Sequence, residues 1–181
     1  MNIMIDVETT GVDAGCCILT LAAVPFSIHS PLENFYERAS HQSSLQAGFT
    51  DNPETISWWD KQKSEQQDEA FGGTLSINRM LEAFCAYMAT LGDPKDLHVW
   101  GNGKDFDNVI LGYALKKLHL KQPWSYRNNW CYRDLVKTYP ITPKPDNPDA
   151  HNALSDAKVQ ARHAELTMEA ISHGYPPAFP R

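Results

Sequence analysis

At 181 residues, the chain can bury one sizeable core, and its 42% hydrophobic and 21% charged residues are those of a folded globular protein rather than a disordered one. A formal net charge of −6 excludes a broad basic surface of the kind that coats duplex nucleic acid, though not an enzyme that grips a strand end where cations supply positive charge. No apolar run approaches the ~20 residues that cross a bilayer, and no basic leader precedes the first strand, so a cytosolic protein is expected.

Residues 2–11, Asn2-Ile3-Met4-Ile5-Asp6-Val7-Glu8-Thr9-Thr10-Gly11, hold the first element. The apolar run Ile3-Met4-Ile5 ends at a glycine-containing turn and reads as a buried strand. Side chains alternate along a strand, so Asp6 and Glu8 share one face while Val7 points into the opposite layer. Paired acids at a strand end repel each other and lose hydration, which suits a hard cation between them. Two solvated acids on an edge strand are the alternative at this point.

Asp13-Ala14-Gly15 is a turn, and the apolar stretch within residues 16–26 returns as the second arm of an antiparallel hairpin. Residues 35–39 are a third strand. Asn52 followed by Pro53 starts a helix that runs toward Gly72-Gly73. Trp58 and Trp59 lie about 100° apart on it, so one is core and the other is a wall for a base or a partner subunit. Ile77, Met80, Leu81, Phe84, Tyr87, Met88 and Leu91 keep the helical period, and Gly92 ends that helix.

Residues 97–100 form a short central strand ending in Gly101-Asn102-Gly103. A helix over residues 105–118 carries Val109, Ile110, Tyr113, Ala114 and Leu118 along one side. Four prolines within residues 139–148 mark a surface loop. The last helix covers residues 152–172, and the apolar tail 175–181 is expected to pack on a neighbouring subunit. The chain reads as a single domain, residues 1–181. Its four cysteines, Cys16, Cys17, Cys85 and Cys131, lack C-x-x-C spacing and read as buried thiols rather than ligands or a disulfide framework.

Further acids join the first pair. Asp107 follows Phe106 at a helix start, where the dipole favours an acid in any case, and Asp105 is a rival. His151 stands at the entrance of the last helix, with Asp156 about one turn inside. Asp156 shares a face with Gln160 and His163, which leaves a solvated surface acid as its alternative. Four carboxylates and a histidine on separate elements match a two-metal phosphodiesterase, in which two cations clamp the attacking and leaving oxygens. Histidine suits proton removal from water because its ordinary pKa is about 6.5.

Asp6-Val7-Glu8-Thr9-Thr10-Gly11, Phe106-Asp107 and His151-Asn152-Ala153-Leu154-Ser155-Asp156 resemble, in order, the three motifs of the DnaQ-like, DEDDh group of 3′–5′ exonucleases. Thr55-Ile56-Ser57-Trp58-Trp59-Asp60-Lys61-Gln62 and Tyr132-Arg133-Asp134-Leu135 resemble a compact bacterial and phage branch of that group. The resemblance implies an α/β, RNase H-like fold with a mixed five-stranded sheet flanked by helices. It implies that Asp6 bridges two Mg²⁺ (or Mn²⁺) ions, that Glu8 and Asp156 complete one site, and that Asp107 supports the other. His151 would be the general base; Thr9, Thr10, Gly11, Asn102, Trp58 and Trp59 would lie near the terminal nucleotide. The implied activity is metal-dependent 3′–5′ hydrolysis of single-stranded 3′ ends, RNA rather than DNA, releasing nucleoside 5′-monophosphates. A homodimer is expected. The alternatives are the same chemistry on DNA, a non-catalytic nucleic-acid-binding module, or an unrelated phosphomonoesterase.

Overall fold

A computed structural model describes residues 1–26 and 32–177. Five strands, β1 (Asn2–Thr9), β2 (Ile18–Phe26), β3 (Phe35–Arg38), β4 (His98–Gly101) and β5 (Asn129–Cys131), form one sheet in the order β3-β2-β1-β4-β5. β1 is central. It pairs antiparallel with β2, as the hairpin reading expects, and parallel with β4, which pairs parallel with β5. The sheet is therefore mixed, and the third strand stands where expected.

Among the described residues seven α-helices flank it: α1 (His41–Gln46), α2 (Pro53–Trp59), α3 (Ser64–Phe71), α4 (Ile77–Leu91), α5 (Asp107–Lys117), α6 (Tyr132–Thr138) and α7 (Ala153–Ser172). Alternation along β1 sorts the two cores. Ile3, Ile5 and Val7 pack with Phe84, Met88, Ile110 and Leu111 of α4 and α5. Met4 packs on the other face with Ala153, Ala157, Ala161 and Ala164 of α7. Asp6 and Glu8 have the parity of Met4 and so face α7. The alanine stripe lets that helix approach the sheet closely, and a larger side chain there would cost about 1–3 kcal/mol in overpacking.

Capping follows the sequence signals. The Asn52 side chain accepts from Glu54 and Thr55 backbone N–H groups, with Pro53 at the first helical position. Asn152 accepts from Ser155 in the same way, and Gly92 ends α4 at φ 139°.

Two expectations need correction. The helix expected to run from Asn52 toward Gly72 is two helices, α2 and α3. The polar stretch Asp60-Lys61-Gln62-Lys63 has nothing to bury, and the chain turns there with Gln62 N–H donating to the Trp59 carbonyl at 2.9 Å. The residues read along one side of α5 do not share one environment: Ile110 and Ala114 are buried together with Leu111 and Leu115, whereas Val109 and Tyr113 are exposed. Asn108 sets that phase by donating from Nδ2 to the Val99 carbonyl at 3.1 Å, which carries Asp107 onto the sheet side. The short elements α1 and β5 carry too little periodicity to be seen in the sequence. Residues 178–181 of the apolar tail lie outside the described residues, while Tyr175 is exposed.

Candidate active site

The acids arrive from three directions. Asp6 and Glu8 project from the last turns of β1, Asp107 opens α5 just past the end of β4, and Asp156 sits in the first turn of α7. Asp6, Glu8 and Asp156 each offer an oxygen within 4.8 Å of the others. Asp107 lines the same cavity of about 250 Å³ with those three, His151, Asn102, Phe106, Gln160, Arg133 and Lys144. The solvated-acid alternatives for the first pair and for Asp156 do not describe this arrangement.

Electrostatics make the cluster costly as it stands. Burial, then the charges of Asp107, Glu8 and Asp156, hold the Asp6 carboxyl well above the usual carboxylate range. Burial with the charges of Asp156 and Asp107 pushes Glu8 up to about 8, and burial raises Asp107 to about 6 despite hydrogen bonds from nearby backbone amides. Among the described residues, none of the four carboxylates has an ion pair within 4.0 Å. Gln160 donates to Asp6 at 2.9 Å while its own Oε1 stays buried without a partner. Buried like charges left this way want a cation, and an all-oxygen donor set fits a hard divalent ion.

His151 is held in a conformation that side chains seldom adopt, with φ 66°. Its backbone N–H donates to Asp156 Oδ2 at 2.9 Å, Asn147 Nδ2 donates to Oδ1 at 2.8 Å, and Gln66 Nε2 donates to the preceding Ala150 carbonyl at 2.8 Å. The ring meets Trp58 edge-on, with centroids 5.0 Å apart. A histidine loop pinned on both sides is thus aimed at the acid cavity.

A second cavity of about 340 Å³ adjoins the first, sharing Val7, Glu8 and Phe106 and adding Thr9, Gly11, Trp58 and Trp59. Trp59 is the core tryptophan: it is buried and donates from Nε1 to the Thr9 carbonyl at 2.9 Å. Trp58 is 39% exposed and forms the wall. Thr10 lines neither cavity; it is fully buried, its hydroxyl facing the Thr50 carbonyl. At Gly11 any Cβ would come within 2.8 Å of Cys16 Cβ, so the turn requires glycine.

Sequence reasoning passed over Gln160 and Lys144 as site residues. Gln160 carried a signal, since it lies one turn after Asp156 on the same face. Lys144, inside the proline loop, carried none.

No curated protein matches the sequence. Among solved structures, the nuclease domain of 3′hExo, a DEDDh family member bound to rAMP, superposes with TM-score 0.62 at 14% identity, covering 93% of this chain and 92% of that one. Product-bound exonuclease I gives 0.57 at 16% identity, covering 95% and 43%. S. pombe Pop2p in its Mg²⁺- and Mn²⁺-bound form gives 0.56 at 15% identity, covering 96% and 83%. These likenesses establish the RNase H-like exonuclease fold. A family model described as the 3′-5′ exoribonuclease Rv2179c-like domain matches residues 1–168. By that match the chain belongs to the Rv2179c-like 3′-5′ exoribonuclease domain family, and so to the 3′–5′ exonucleases.

Proposed function

We propose that this exonuclease removes nucleoside 5′-monophosphates from the 3′ ends of short single-stranded RNA, with Asp6, Glu8, Asp107 and Asp156 as metal ligands and His151 as general base. The observation that carries the reading is the convergence of four carboxylates without an ion pair and a constrained histidine on one cavity. Asp6, central in the cluster, would hold both of two Mg²⁺ or Mn²⁺ ions, Glu8 and Asp156 one of them, and Asp107 the other. When bound, such ions activate water and offset charge on the phosphodiester.

The chain's own residues do the rest. His151 accepts the proton of the attacking water, and Trp58 at its ring edge limits where the imidazole can point. Among the described residues, Arg133 and Lys144 are the Arg and Lys side chains that line the acid cavity, placed to meet a phosphate there. The neighbouring cavity, walled by Trp58 with Thr9 and Gly11 on its floor, takes the terminal nucleoside, its base against the indole. Asn102, at the rim of the acid cavity, lies beside the same nucleotide.

RNA is favoured over DNA on the family description, and short ends over long tracts on the acidic net charge. A homodimer and a cytosolic location belong to the same proposal. Exposed Tyr126 and Trp130 beside the edge strand β5 give a dimer an apolar edge to bury. No described helix is long and apolar enough to cross a membrane. Single strands of RNA and DNA labelled at the 5′ end, incubated with Mg²⁺ or with EDTA, test the activity. Stepwise shortening from the unlabelled end, in Mg²⁺ only and faster on RNA, is expected. Asp6→Asn should abolish it, and wild-type rates in that variant would refute the ligand assignment. Sedimentation at micromolar concentration tests the dimer.

A further inference from the structure

Among the described residues a second group of potential ligands lies outside the acid cavity: Cys17, His41 and Asp51. Three separate pieces of chain supply it. Cys17 stands just before β2, its N–H donating to the Thr50 carbonyl at 3.1 Å and its carbonyl accepting from Thr10 at 3.0 Å. His41 is the first residue of α1, and Asp51 precedes the Asn52 cap of α2. One sulfur, one imidazole nitrogen and one carboxylate oxygen lie within 4.8 Å of one another. His41 Nε2 is 2.8 Å and 3.0 Å from the two Asp51 oxygens.

The group is closed toward the core and open toward solvent. Cys17 is fully buried, whereas the side chains of His41 and Asp51 keep 26% and 28% exposure. We propose that Cys17, His41 and Asp51 form a second metal site, for a borderline transition ion such as Zn²⁺, behind the Thr9-Thr10-Gly11 turn. Sulfur, nitrogen and oxygen together select Zn²⁺ over Mg²⁺, the reverse of the all-oxygen cluster on the other side of that turn. A tetrahedral Zn²⁺ with bonds of about 2.0–2.3 Å needs ligand separations of roughly 3.3–3.8 Å. The Cys17 sulfur stands within 4.8 Å of both partners, and the His41–Asp51 pair, now hydrogen-bonded at 2.8 Å, opens by roughly half an ångström to take the ion. The ion takes the place of the hydrogen-bonding proton between His41 Nε2 and Asp51, which moves to Nδ1 or to solvent, the thiol proton leaves to solvent, and water from the open side completes the fourth position.

Occupancy would cross-link residues 17, 41 and 51. Those segments also hold Thr10, through Cys17 on one side and the Asn52 N–H, which donates to the Thr10 carbonyl at 2.8 Å, on the other. The site thus acts as a staple behind the turn that floors the nucleoside cavity. It does not depend on the exonuclease reading.

Cobalt(II) is the probe. Metal-stripped wild-type protein titrated with Co²⁺ in saturating Mg²⁺, which occupies the acid cavity, should show a thiolate charge-transfer band and intense visible bands of tetrahedral Co²⁺. Zn²⁺ should bleach them, and excess Mg²⁺ should not. Asp6→Asn should keep the bands, since they do not arise in the acid cavity. Cys17→Ser should lose the charge-transfer band, and His41→Gln should weaken Co²⁺ binding about tenfold or more. Absence of the band in wild type, or its survival in Cys17→Ser, overturns the proposal. If Cys17→Ser does not fold, the partly exposed His41 decides: unchanged Co²⁺ affinity in His41→Gln overturns it equally.

Discussion

Replacing Glu8 by glutamine should stabilise the metal-free protein while crippling the enzyme. Burial and two neighbouring carboxylates push Glu8 from its ordinary 4.5 up to about 8. The folded chain therefore binds more protons than the unfolded one between those values, and stability falls as pH rises from 4.5 to 8, levelling off above. At pH 7 the unfolded glutamate has lost its proton, and refolding must restore it against about 2.5 pH units, on the order of 3 kcal/mol. Glutamine keeps the shape without that cost. For a chain of this size, 3 kcal/mol corresponds to a rise in Tm of about 6–12 °C. At pH 5 the gap shrinks to less than about 1 kcal/mol, because the unfolded glutamate is then partly protonated. Saturating Mg²⁺ reverses the ranking, since only the carboxylate binds the ion strongly. Circular-dichroism melts in EDTA and in Mg²⁺, at pH 5 and 7, read all four cases. The reasoning fails if Glu8→Gln in EDTA at pH 7 melts at or below wild type, or if its advantage does not shrink at pH 5.

Three other outcomes follow from the geometry. His151→Ala should lower kcat by about 10²–10⁴-fold and leave the Mg²⁺-induced Tm shift intact, so single-turnover rates and melts together separate base from ligand. Gly101→Ala would bring a Cβ within 2.8 Å of Asp107 Oδ2 and 2.6 Å of Asn108 Oδ1, displacing the Asp107 carboxylate. We expect tenfold or greater loss of activity, by order of magnitude, for about 1–3 kcal/mol of stability, checked by paired rate and denaturant measurements. Trp58→Ala removes the wall of the nucleoside cavity, and a stacking contribution of about 1–3 kcal/mol should appear chiefly as a raised KM on oligonucleotides. An unchanged KM would take the base out of that cavity.

The acid pair and the helix caps were legible because each rests on local chemistry. Asp6 and Glu8 share a face whatever strand lies beside them, and Asn52-Pro53 and Asn152 start helices through hydrogen bonds that span only three residues. The break between α2 and α3 and the phase of α5 were not legible for the opposite reason. A polar tetrapeptide inside a helical period is ambiguous until one knows what it packs against. The phase of α5 follows from one amide reaching the Val99 carbonyl of the interior strand β4. Thr10 shows the limit of carrying a motif over residue by residue: it is fully buried, while its neighbours Thr9 and Gly11 line the cavity walled by Trp58.

By itself, then, the order of residues determined that Asp6 and Glu8 share a strand face and that helices start at Asn52 and Asn152, because alternation and capping act over a few positions. Tertiary structure alone decided that the four acids meet. Gln160 reaches Asp6 across 154 positions of chain because an alanine stripe lets α7 lie close on the sheet. Asp107 joins them because β4 pairs parallel with β1 and delivers α5 to the same end. Encounters between such distant segments depend on burial and register, which no short window of sequence contains.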